Sequence, residues 1–147
     1  MNRERSLRRA WLPLGAVLVF AIAVSGSYSS IAGAAEIKVT LVGDQEVPPV
    51  TSRGSGTGSM VIGSDQTLSG SVTSTGIDGT AAHIHEAAPG ENGPVVIPLI
   101  KNGDNYAVPP NTKLTDAQFA SFQAGNLYVN VHTVAHPDGE IRGQLNP

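Results

Sequence analysis

Seven short runs rich in Val, Ile, Leu and Thr recur from Lys38 onward: Lys38–Val42, Gly58–Ile62, Thr67–Thr73, Ala81–His85, Val95–Ile100, Leu127–Val131 and Ile141–Leu145. Turn-forming pairs fall between them, namely Asp78-Gly79, Asn92-Gly93, Asn102-Gly103 and Asp138-Gly139. Strands this short at these spacings predict an all-β fold, an antiparallel Greek-key sandwich or barrel. One helix is expected, over Asp116–Ala124. Thr115 and Gln118 have capping-box spacing, Leu114 and Phe119 can staple across the cap, and Gly125 ends the helix. It is expected to cover an open end of the core. Pro48-Pro49 and Pro109-Pro110 read as stiff edges or loop ends, and "SRGSGTGS" (Ser52 to Ser59) as a flexible loop entering a strand.

Side chains alternate across a strand, so the same pattern assigns faces. In "AAHIH" Ala82 and Ile84 point to the core and His83 and His85 point outward together. Their α-carbons then lie about 7 Å apart, close enough for both imidazoles to turn onto one ion. In "LYVNVH" Leu127, Val129 and Val131 are inside, while Tyr128, Asn130 and His132 share the other face. His136 follows at the turn made by Pro137, Asp138 and Gly139. All four histidines thus fall in two groups on outer faces or at a strand end. A mononuclear metal site of three or four imidazoles follows if the two strands are neighbours, which the sequence does not show. Surface histidines bonded to nearby backbone are the alternative.

The first 35 residues bear on compartment. Arg3, Arg5, Arg8 and Arg9 precede an apolar stretch, Trp11 to Val24, and a small, polar stretch, Ser25 to Ala35, that includes Ala32-Gly33-Ala34. This is the pattern of a cleavable signal peptide over residues 1–35, with a domain over 36–147. Pro13 and Gly15 interrupt the apolar run, which falls short of the roughly 20 residues a spanning helix needs. An exported domain, periplasmic, cell-surface or extracellular and free of the membrane after cleavage, is therefore expected.

Charge and cysteine usage then narrow the chemistry. From Glu36 onward five Lys and Arg stand against eleven Asp and Glu, a net charge near −6, so nucleic acid is excluded as a natural partner. Cysteine is absent, which removes thiol catalysis and thiolate metal sites. A metal would be held by His83, His85, His132 and His136. In an oxidising compartment imidazoles alone suit copper first, by the affinity order of divalent ions, and zinc second. Glu140 and Arg142 share a strand face and are expected to form an ion pair with each other or with Glu46. Glu86 and Glu91 read as solvated loop acids, with support of the nearby histidines as the alternative. The Gly-rich run lacks the Gly-Lys-Ser/Thr of a phosphate loop, and no Gly-x-Ser-x-Gly elbow occurs.

Four stretches together resemble a CHRD domain, the module first named in chordin: "VGDQEVPPV" (Val42 to Val50), "AAHIHEAAPGENGPVV" (Ala81 to Val96), "LTDAQFASFQAGNLYVNVHT" (Leu114 to Thr133) and "PDGEIRGQL" (Pro137 to Leu145). The resemblance implies an exported β domain. It does not carry over chordin's signalling role, because the cysteine-rich modules are missing. A weaker resemblance is to copper-zinc superoxide dismutases, Greek-key barrels whose copper site combines a His-x-His strand, a later strand histidine and a C-terminal arginine. It implies His83, His85 and His132 as copper ligands and, for a redox enzyme only, Arg142 as a catalytic residue attracting an anion. No cysteine pair or zinc-ligand loop accompanies it. A metal-free module that binds extracellular protein or polysaccharide through its loops and sheet edges is the remaining reading.

Overall fold

The computed structural model describes residues 34–147, so most of the expected signal segment lies outside the described residues. Nine strands form one antiparallel sheet: β1 (Ala35–Val42), β2 (Ser55–Ile62), β3 (Leu68–Thr75), β4 (Gly79–Glu86), β5 (Val95–Pro98), β6 (Ile100–Asn102), β7 (Asn105–Ala107), β8 (Leu127–Thr133) and β9 (Ile141–Leu145). Their spatial order is β5-β4-β8-β9-β1-β2-β3-β7-β6. β5 and β6 are two halves of one run broken only at Leu99, whose N–H bonds to Ala82 O at 3.0 Å. The run therefore leaves one edge of the sheet at β4 and reaches the other at β7, which curls the sheet into a nearly closed Greek-key barrel.

The alternation read from sequence fills that barrel. Ile37, Val39, Leu41, Met60, Ile62, Val72, Ala82, Ile84, Val129, Val131, Ile141 and Leu145 are all buried in one cluster. The helix forms as expected, with Asp116–Gln123 helical, Ala124 as C-cap and Gly125 at φ +73°. Both hydrogen bonds of the capping box are present, Gln118 N to Thr115 Oγ1 at 3.2 Å and Thr115 N to Gln118 Oε1 at 2.9 Å. Phe122 is buried and Phe119 packs against the core. Ser121 donates to the Glu86 carboxylate, tying the helix to the end of β4; Glu86 is therefore not a free loop acid.

Three local expectations change. The Gly-rich run is not a loop from Ser55 onward but the first half of β2. A Cβ at Gly58 would stand 2.1 Å from Ser71 O, so these glycines let β3 approach closely. The expected strand Val95–Ile100 splits at Leu99, where the chain changes partner. β7, only three residues long, was too short for a hydrophobic pattern to announce; it pairs back to β6 across the Gly103 turn.

Candidate metal centre

β4 and β8 are neighbours, in the register Ala81↔His132, His83↔Asn130 and His85↔Tyr128. That register sets His132 diagonal to His83 on the outer face, within reach of a long side chain. His83 Nδ1 lies 2.9 Å from His132 Nε2, and the ring centroids of His85 lie 5.7 Å from His83 and 6.0 Å from His132. One ring nitrogen from each of the three falls within 4.8 Å of the others, so the trio can hold a metal ion.

The outer face is not open to solvent, as simple alternation would leave it. Every residue of β8 is buried, because three loops fold over this side of the barrel. From the Glu86-to-Pro94 loop, Gly93 O accepts His85 Nδ1–H at 2.9 Å. From the β8–β9 turn, Pro137 O accepts His132 Nδ1–H at 2.9 Å. From the Gly43-to-Val50 segment, Val47 O accepts Asn92 Nδ2–H at 2.6 Å and fastens the first loop. These bonds fix tautomers, since a carbonyl can only accept. Nε2 of both His85 and His132 then carries the lone pair, the state a metal requires, and the backbone carbonyls orient the rings as the outer partners of metal-ligating histidines do.

The donor set passes a further test. His85 Nε2 is buried with no hydrogen-bond partner, a costly condition for a polar atom unless something else takes its lone pair. The 2.9 Å contact between His83 and His132 is a hydrogen bond: with the His132 Nδ1 proton on Pro137 O, His83 Nδ1–H donates to His132 Nε2, and a metal ion would take the place of that proton. All three imidazoles are held below their usual basicity. Desolvation is the main cause in each; the other two rings add to it at His83, the Gly93 carbonyl and Asn130 oppose it at His85 while His132 and Arg142 add to it, and at His132 the Pro137 carbonyl and Asp138 oppose it. Folding therefore keeps the cluster neutral. Without metal, the unfolded chain binds more protons than the folded one between these lowered values and 6.5, so this contribution rises with pH up to about 6.5 and is lost in acid.

Of the four expected ligands, His136 does not join. It is half-exposed on the β8–β9 turn, its N–H donating to Thr133 Oγ1 and its carbonyl accepting from Gly139 N. A cleft of about 380 Å³ opens onto His85 and His132, walled by Val47, Pro48, Asn92 and Asp138.

Arg142 differs most from expectation. Rather than presenting its charge beside an open position, it is 1 % exposed. Its guanidinium lies 3.4 Å from the Tyr128 ring centroid, and its donors go to Glu91 O at 2.8 Å and, more distantly, to Ala88 O, Asn92 Oδ1 and Gln144 Oε1. The expected Glu140–Arg142 pair does not form. Glu140 accepts instead from Ser52 at 2.7 Å and Thr133 at 2.6 Å.

Glu46 is the buried acid near Arg142, and nothing in the sequence marked its depth. Burial raises its pKa from 4.5 to about 7, against the pull of Arg142 and Asn130, and its Oε1 has no hydrogen-bond partner of normal geometry. Between 4.5 and 7 the folded chain binds more protons than the unfolded one, so this contribution to stability falls as pH rises. Glu46→Gln is expected to be stabilising relative to wild type at pH 8 but not at pH 4, the difference widening by up to about 3 kcal/mol. Urea unfolding at the two pH values checks it, and a constant difference would refute the burial cost.

Fold and site together define a Greek-key β-barrel with a partly buried three-histidine cluster beneath a loop layer. The chain belongs to the CHRD family: the CHRD domain model matches residues 37–145, nearly all of the described residues. No curated protein and no solved structure matches it.

Proposed function

We propose that this chain is an exported CHRD-domain binding module that holds one metal ion, copper in preference to zinc, on His83 Nδ1, His85 Nε2 and His132 Nε2. The observation that carries the reading is that one ring nitrogen from each of His83, His85 and His132 lies within 4.8 Å of the others, with His85 Nε2 buried and partnerless and the Nδ1 atoms of His85 and His132 locked to carbonyls. Nitrogen-only ligation favours copper over zinc by the affinity order of divalent ions. Export rests on the basic, apolar and small-residue segments of residues 1–35. Among the described residues no helix is long and apolar enough to cross a membrane.

With His136 outside the cluster, three protein ligands leave a position that the cleft can supply with an outside molecule. Bound copper would provide one-electron chemistry there, while the chain's own groups orient the rings and exclude bulk water. The sealed Arg142 offers no exposed cation to draw in superoxide, so binding, storage or delivery of metal ranks above dismutation. The test is metal content by mass spectrometry of protein made without a histidine tag and reconstituted with copper and zinc. About one copper per chain is expected, lost in the His83→Ala, His85→Ala double variant. No bound metal after reconstitution would reduce the site to structural histidines.

A further inference from the structure

Arg142, Tyr128 and His85 form a continuous stack across three adjacent strands. β8 lies between β4 and β9, so His85 and Arg142 approach the Tyr128 ring from its two sides. His85 is parallel to that ring, with planes 10° apart and centroids 4.9 Å apart, and the guanidinium lies 3.4 Å from the ring centroid. The tyrosine hydroxyl accepts from Gly93 N at 3.2 Å, and Gly93 O in turn accepts the His85 Nδ1 proton at 2.9 Å. Arg142 also grips the same loop through Glu91 O and Ala88 O. The imidazole is thus held twice, at its face by Tyr128 and at Nδ1 by Gly93 O.

Building on the metal reading above, we propose that Arg142 is a positioning residue for the bound metal: through the Tyr128 ring and the Gly93 carbonyl it fixes His85, and its permanent charge makes that imidazole a weaker donor, favouring Cu(I) over Cu(II). A buried guanidinium is suited to this. Its planar face matches the ring as a lysine ammonium cannot. The nearby low-dielectric layer lets its field reach across one aromatic ring with little screening.

The measurement is the copper reduction potential of the full chain, with copper stoichiometry and the Cu(II) electron paramagnetic resonance spectrum recorded on each sample. Arg142→Gln is expected to bind one copper and to shift the Cu(I)/Cu(II) affinity ratio about tenfold toward Cu(II), a drop of about 59 mV for one electron. Arg142→Lys, which keeps charge but loses the planar stack, should recover part of the potential while leaving an altered spectrum. Tyr128→Phe keeps both stacked rings but releases Gly93, and should change the spectrum with a smaller shift in potential. An Arg142→Gln protein with one copper and the wild-type potential overturns the proposal. If that variant does not fold, a wild-type spectrum and potential in both Arg142→Lys and Tyr128→Phe overturns it equally. Wild type that takes up no copper removes the metal reading beneath it, a separate result.

Discussion

Stripping copper from the loaded chain is expected to lower its melting temperature by about 15 °C. A ligand that binds only the folded state stabilises it by RT ln(1 + [L]/Kd), which reaches about 4.1 kcal/mol at a thousandfold excess over Kd. For a domain of this size each kcal/mol is worth roughly 4 °C. The three imidazoles come from two strands, His83 and His132 lying 49 residues apart in sequence, so the unfolded chain has no comparable site. Because folding already holds the rings neutral, proton competition should not erode the effect until the solution is acid. Calorimetry with and without chelator decides the matter; identical transitions in a demonstrably loaded sample would mean that the ion sits elsewhere or binds the unfolded chain equally.

Replacing Arg142 by alanine is expected to cost about 3 to 5 kcal/mol. The residue is a fully buried cation whose removal leaves Glu91 O and Ala88 O short of a donor, opens a void beside Tyr128 and loosens the Glu86-to-Pro94 loop. Against a typical total of about 5 to 15 kcal/mol that is a large share. Denaturant titration measures it. A loss under about 1 kcal/mol would show that the loop is secured by Gln144, which bonds Ala87 O at 3.0 Å and Gly125 O at 2.7 Å, and by Asn92.

The barrel itself was legible because its core strands alternate cleanly. Ile84 and Ala82 against His83 and His85, and Val129 and Val131 against Asn130 and His132, allow only one inward face. The same parity put all three members of the cluster, His83, His85 and His132, on outward faces before any pairing was known. Their convergence was not legible, since it depends on β4 lying next to β8 across a crossover of some forty residues. Nor was the loop layer. Gly93 and Pro137 act through carbonyls that any residue would possess, so residue type carries no sign of their role. The sequence offered Arg142 and Glu46 as partners in an ion pair and Arg142 as an anion-attracting charge, but not their depth, because only the overlying loops bury them. His136 misled for the opposite reason: a histidine near a ligand is conspicuous, while its use here is that of its backbone in a turn.

The run from Val95 to Asn102 that serves β4 with its first half and β7 with its second has a consequence for the molecule in a crowd. A sheet that ended at two full-length strands would offer other copies two rows of unpaired amides on which to polymerise. Here each uncovered margin is three or four residues long, and the break at Leu99 interrupts their line. Val95 and Ile100 are half-exposed along it, yet Pro98 lacks a donor and Lys101 adds repelling charge between them and any incoming strand. The kink that shuts the barrel also denies a foothold for fibril growth, which suits a chain expected to work outside the cell, beyond the reach of cytosolic chaperones.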